Sequence, residues 1–211
     1  MIQIIAFDVM DTLLSDPFRE ALEAGTGRGI EEIRARRDPE AYPALERGEI
    51  DEATYWQRHR ERGLEVDVAA FHATRRAGTH WLPGMRELLD ALEGTVLRVT
   101  ASNYPVWIEE LARGPLAGRL DLVLASHHLG IRKPDLGFYR ALLDRLGQPV
   151  AAVAFVDDRE ENVAAARRVG MPAHRFVDAE TLRVWLTDLG IPLDGPDRGS
   201  ARGEQGEESR G

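Results

Sequence analysis

Short runs of β-branched and aliphatic residues recur along this 211-residue chain, and each ends on polar or acidic residues before a segment of helical periodicity begins. The first run, residues 2–7, is apolar on both faces and leads straight into Asp8, the pattern of a strand buried inside a parallel sheet. Residues 96–101, 120–125 and 153–156 repeat that pattern, and 174–177 form a shorter version of it. Helical spacing fills 85–92, a stretch from Pro105 to Leu111, 137–146, 160–169 with Gly170 as its stop, and 179–189. Apolar strands alternating with helices require a parallel sheet covered on both faces, so the expected class is α/β with a doubly wound sheet.

One region breaks the alternation. Residues 15–82 are rich in Glu, Arg and Ala, with apolar positions at helical spacing and breaks at glycine and proline. They hold no convincing strand, and Asp51 stands where a helix N-cap would. The expected division is a core of 1–14 and 83–193, a small all-helical insert at 15–82, and a disordered tail at 194–211, where only Gly, Ser, Pro, Gln, Ala and charged residues occur.

Composition removes whole classes of chemistry. There is no cysteine, which excludes disulfides, thiolate metal sites and cysteine catalysis. A net charge of −9 argues against a nucleic-acid partner, because the chain would repel a phosphate backbone. No apolar run approaches the length of a membrane span, and the first residues carry no basic, apolar leader, so a cytoplasmic location is expected. Among 27 Lys plus Arg residues only Lys133 is lysine, a place where a compact ammonium could do what a planar guanidinium cannot.

Doubly wound sheets bind ligands at the carboxyl ends of their strands. Here those ends carry Asp8 to Thr12, then Thr100 to Asn103, then Arg132-Lys133-Pro134, then Asp157 and Asp158 with Asn162 one turn later. Each is read singly as a turn or cap residue; together they supply three carboxylates, a hydroxyl, an amide and the only lysine. Crowded carboxylates stay ionised around a shared divalent cation, and hard oxygen ligands suit magnesium, which also takes substrate phosphate. Lys133 and Ser102 would then contact phosphoryl oxygens.

In this order the motifs resemble those of the haloacid dehalogenase superfamily, from about Ile2 to Leu189. Phe7-Asp8-Val9-Met10-Asp11-Thr12-Leu13 is similar to its first motif, Ser102-Asn103 to the second, Lys133-Pro134 to the third, and Asp157-Asp158 with Asn162 to the acidic fourth. The resemblance implies a Rossmann-like core, a helical cap at 15–82, and Asp8 as a nucleophile that forms an aspartyl intermediate. It implies Mg2+ held by Asp8, the Met10 carbonyl and Asp158, with Asp157 in support. Ser102 and Lys133 become catalytic partners, and Thr12, Ser102 and Asn103 contact a small-molecule phosphate ester.

Met10 departs from the pattern. Phosphatases of this family carry there an aspartate that protonates the leaving oxygen, and a thioether cannot move a proton. Three readings follow: a magnesium-dependent phosphatase taking its proton elsewhere, for example from His59 or His72; a metal-independent carbon–halogen hydrolase; or a binding relative without turnover. The acidic doublet favours the first over the second. The aromatics of the insert, including Tyr55, Trp56 and Trp81, read as its own core, and Arg34, Arg36 and Arg37 as a solvated helix face.

Overall fold

The computed structural model describes residues 1–193; the expected disorder of 194–211 lies outside the described residues. Strands β1 (Ile4–Phe7), β2 (Leu97–Thr100), β3 (Val153–Asp157) and β4 (Ala173–Arg175) form one parallel sheet in the order β2-β1-β3-β4. Ile4 stands beside both Leu97 and Val153, and Phe7 beside both Thr100 and Val156, so β1 is central. The chain leaves β1 toward β2 and later crosses to β3 on the other side. That reversal opens a crevice at the carboxyl ends of β1 and β3.

Alternation along β1 serves two cores. Ile5 and Phe7 face one side with Ala154 and Val156, against helices α6 (Met85–Ala91), α7 (Ile108–Arg113) and α11 (Ala179–Asp188). Ile4 and Ala6 face the other with Val99, Val153 and Phe155, against α9 (Leu136–Leu146) and α10 (Glu160–Val169). Both faces of β1 are therefore buried, as its continuous apolar run requires.

Two sequence expectations change. Residues 120–125 form isolated bridges, Val99 with Leu122 and Ser102 with Ala125, rather than a strand. Side chains supplement a few backbone rungs, Thr100 N to Leu122 O at 3.0 Å and Asp121 N to Arg98 O at 2.8 Å: the Thr100 hydroxyl donates to Leu124 O and accepts from Leu124 N, both at 2.8 Å, and Asp121 Oδ2 accepts from Arg98 N at 2.7 Å. The helix expected from Pro105 begins at Ile108, because Pro105–Val106 first turn with three-residue bonding, Ile108 N to Pro105 O at 2.9 Å and Glu109 N to Val106 O at 3.1 Å. A short helix, α8 (Ser126–Leu129), precedes the lysine segment.

Between β1 and β2 lie α1 (Phe18–Thr26), α2 (Ile30–Arg36), α3 (Ala41–Glu46), α4 (Glu52–Glu61) and α5 (Val68–Gly78). Asp51 caps α4 as expected, accepting from Thr54 N at 2.8 Å. The start of α1 crosses the end of α5 so closely that a Cβ on Gly78 would lie 2.5 Å from Pro17 Cβ. The two connecting segments are tied to each other, Ser15 Oγ donating to Gly78 O at 2.7 Å and Leu82 N to Leu13 O at 2.9 Å. Trp107, just before α7, sits among Tyr42, Tyr55, Trp56 and Phe71 of this helical insert. Arg75 of α5 covers the same indole at 5.4 Å and pairs with Glu110 of α7. The insert and the sheet thus share one hydrophobic cluster. Among the described residues no helix is long and apolar enough to cross a membrane.

Candidate active site

Each sheet strand in this crevice delivers one group. Asp8 follows β1, its N–H donating to Val156 O at 2.8 Å, which locks the two strand ends together. Ser102 follows β2, and Ser126 N donates to its carbonyl at 2.8 Å. Lys133 arrives on the loop after α8, and the side chain of Asn103 holds its backbone from both sides: Lys133 N donates to Asn103 Oδ1 at 2.8 Å and Asn103 Nδ2 to Lys133 O at 2.9 Å. Asp157 ends β3, and Asp158 follows it.

Lys133 is almost completely buried, with Nζ 2.9 Å from Asp8 Oδ1 and 2.6 Å from Asp157 Oδ2. Its ammonium lies near the Phe138 and Phe155 rings, the latter 5.4 Å from Nζ. Burial works against the ammonium, but Asp157 and Asp8 outweigh it and hold the Lys133 pKa above its ordinary value. Burial likewise pushes the Asp8 carboxyl up, and the charge of Asp157 adds to it, while Lys133 and a hydrogen bond to Ser102 pull it back. Asp158 has no such partner among the described residues: burial first, then Asp8, Asp157 and Asp11, raise its carboxyl to about 7.

Asp8, Asp157 and Asp158 each present an oxygen within 4.8 Å of the others, the arrangement of a divalent-cation site. Three carboxylates against one ammonium leave the cluster two charges negative, which a dication would balance. The three do not share the task equally. Asp157 is wholly buried and its oxygens already accept from Lys133, from Asn162 Nδ2 at 2.9 and 3.0 Å, and from Arg159 N at 2.9 Å. It positions the lysine, whereas Asp8 and Asp158 face the open cavity.

That cavity, of about 440 Å³, is floored by Asp8, Met10, Ser102, Lys133 and Asp158 and walled by Phe18, Arg37, Tyr42 and Glu46 of the insert, with Arg132 and Tyr104 from the core. Several sequence expectations are corrected here. Thr12 is fully buried and lines no part of the cavity, so its side chain does not reach a ligand. Asn103 borders the cavity, but its amide is engaged on the Lys133 backbone. His59 packs between Tyr55 and Trp56 with Nδ1 on Tyr55 O at 3.0 Å, and His72 pairs with Glu52 at 2.5 Å; neither lines the cavity. Arg34 and Arg36 do pair on the surface with Glu31 and Glu32, whereas Arg37 turns to the cavity and has no carboxylate partner among the described residues. Asp11 lines the cavity in the left-handed region at φ 56°, where the motif ordinarily has glycine.

Comparison with known proteins decides the family: the profile of haloacid dehalogenase-like hydrolases matches residues 2–170. The chain belongs to the haloacid dehalogenase-like hydrolase family. It is 34% identical over 197 residues to flavin mononucleotide hydrolase 1, chloroplastic, of Arabidopsis thaliana, covering 92% of this chain and 80% of that protein. A structure described as a predicted HAD-like family hydrolase from Porphyromonas gingivalis superposes with TM-score 0.75 at 23% identity, covering 90% of this chain and 98% of that one. A HAD family enzyme from Bacteroides thetaiotaomicron, in complex with magnesium and inorganic phosphate, gives TM-score 0.73 at 17% identity, covering 86% and 99%. These two likenesses establish the fold, and the family motifs lie on it in order.

Proposed function

We propose that this hydrolase is a magnesium-dependent phosphatase of a small phosphate ester. The observation that carries the reading is the pairing of Lys133 with both Asp8 and Asp157 beside a third carboxyl, Asp158, that opens into the cavity with no cation partner among the described residues. In this reading Asp8, Asp158 and the Met10 carbonyl hold the metal. When bound, the cation supplies positive charge to the phosphoryl oxygens and keeps Asp158 ionised. A free carboxylate oxygen of Asp8 attacks phosphorus, and the ester oxygen leaves with its electron pair. Lys133 keeps Asp8 oriented and offers charge to the oxygens that become more negative. The Ser102 hydroxyl donates to the same group, while Asn103 and Asp157 fix the lysine from its two ends.

The helical insert serves as a cap: it supplies the wall opposite the acidic floor, and the aromatic rings of Phe18 and Tyr42 suit an organic leaving group. The plant relative supports flavin mononucleotide as the first substrate to try, and the cavity is of a size that suits a metabolite of that class. The cysteine-free composition is in keeping with a reducing compartment such as the cytoplasm, although the plant relative is named as chloroplastic.

The test is phosphate release from a panel of phosphorylated metabolites and an aryl phosphate, with magnesium or with chelator. Hydrolysis that needs magnesium and is lost in Asp8→Asn is the expected result. Halide release from haloacids that ignores the chelator would replace this reading with carbon–halogen hydrolysis, and metal binding without any turnover would replace it with a binding role.

A further inference from the structure

Met10 leaves the site without the proton donor that an alkoxide leaving group needs, and the cavity offers three further carboxyls: Asp11, Asp16 and Glu46. The first two are exposed and already act as acceptors, Asp11 Oδ1 from Asp16 N at 3.2 Å and Asp16 Oδ1 from Phe18 N at 3.0 Å. Burial nevertheless raises the Asp16 carboxyl to about 6, with the hydrogen bond from Phe18 N working against it. Glu46 is set apart by its enclosure. It is 3% exposed although it borders the cavity, and no backbone N–H donates to its side chain among the described residues. Its Oε2 is paired with Arg132, whose Nε lies 2.8 Å away.

The residue is also rigidly placed. Ser126 Oγ donates to Glu46 O at 2.7 Å from a wholly buried position, and Tyr104 N donates to the same hydroxyl at 3.1 Å. This ties the end of α3 to α8 and to the segment that follows β2. The charged and titratable groups facing Glu46 are Arg132 and Lys133 from that loop, Asp8 from the floor, and Tyr42 and Tyr55 from the insert. Its neighbour Arg47 is already paired with Glu49 at 2.7 Å. Burial prevails over Arg132 and Lys133 and raises the carboxyl to about 7, within the range where an acid can both hold and release a proton in neutral solution.

We propose that Glu46, delivered by the helical insert, is the general acid–base of this site in place of Met10; the inference rests on the phosphatase reading. As a new bond forms between an Asp8 oxygen and phosphorus, the bond from phosphorus to the ester oxygen breaks, and Glu46 gives its proton to that oxygen to release an alcohol. Arg132 stabilises the carboxylate left behind. Glu46 then takes a proton from a water whose oxygen attacks phosphorus, the bond to Asp8 breaks, and inorganic phosphate leaves with the Asp8 carboxylate and the protonated Glu46 restored.

The decisive experiment compares wild type with Glu46→Gln on an alkyl phosphate, glycerol 3-phosphate, and an aryl phosphate, p-nitrophenyl phosphate, in magnesium. Turnover of the alkyl ester falls by about 10²–10⁴, the usual range for a lost acid–base group, and that of the aryl ester by less than about tenfold. The alkaline limb of the alkyl kcat profile disappears with it, and adding Met10→Asp to Glu46→Gln restores alkyl turnover. Equal losses on both esters, an unchanged pH profile, or no loss at all would overturn the assignment. Should Glu46→Gln fail to fold, 13C NMR of the wild-type carboxyl takes its place: titration between pH 6 and 8 supports the role, and a carboxylate still ionised at pH 5 excludes it. A wild type that hydrolyses neither ester nor any member of the metabolite panel would instead remove the phosphatase reading itself.

Discussion

Replacing Lys133 with methionine would test the charge balance on which the site depends. The side chain is 1% exposed, and its ammonium lies 2.9 Å from one carboxylate and 2.6 Å from another. Methionine keeps most of the volume but leaves Asp8 and Asp157 facing each other with no cation between them. Removing one partner from a buried pair costs about 3–5 kcal/mol, because the remaining charge stays desolvated. For a domain of this size each kcal/mol moves the melting temperature by about 2–4 °C, so a fall of about 6–20 °C is expected. The loss also depends on pH. Asp8 already titrates above its ordinary value of 3.8, and without the ammonium it rises further. Above pH 4 the unfolded chain has released that proton while the folded chain keeps it, so stability declines as pH rises toward the folded pKa. The deficit is therefore smaller at pH 5 than at pH 8. Urea unfolding followed by circular dichroism in chelator, at both pH values, measures it. A loss under 1 kcal/mol that is equal at the two pH values would show that the buried pair does not carry the site.

Two further outcomes follow from the same geometry. Asp158 titrates near 7 instead of 3.8, so in chelator its carboxyl makes the fold less stable as pH rises between those values; magnesium should remove that slope, and at 100 times its dissociation constant stabilise the protein by about 2.7 kcal/mol. Thermal unfolding against pH with and without magnesium checks this, and Asp158→Asn should abolish most of the magnesium shift; an unchanged shift would place the cation elsewhere. Trp107→Ala removes a 5% exposed indole from the contact between insert and core and should cost about 3–5 kcal/mol by urea unfolding, with a raised KM as the cavity wall loosens. A loss of stability with unchanged KM would separate the packing of Trp107 from the shape of the cavity.

Much of the fold could be read from local pattern because the local signals are strong. The apolar run at β1 is buried on both faces, Gly170 at φ 97° ends α10 where helix periodicity stops, and Asp51 caps α4. The pattern misled where side chains replaced backbone. Residues 120–125 have the composition of a strand, but the side-chain oxygens of Thr100 and Asp121 take up part of the pairing that backbone groups would make in a full ladder, and no local feature distinguishes such an edge from a paired strand. Pro105 has the right residue type for a helix start; only the turn it makes in three dimensions postpones the helix to Ile108.

The floor of the site was legible for a different reason than its walls. Asp8, Ser102 and Asp158 follow strands of a parallel sheet, so topology brings them to one crevice; Lys133 comes from the loop after α8, held there by Asn103, and the arginine-rich composition made the lone lysine visible. Glu46 and Arg37 obey no such rule. Each lies at the end of a short helix in the insert, among many similar acidic and basic residues, and faces the cavity only because the insert docks on Trp107 and on Ser126, a hydrogen bond that spans 80 residues of chain. His59 and His72 were the more conspicuous candidates by residue type, yet helical periodicity turns them into the aromatic core of the insert. A carboxyl carries no mark in the sequence of its raised pKa; the burial that prepares Glu46 for proton transfer, against the pull of Arg132, exists only once α3 has closed against the lysine loop.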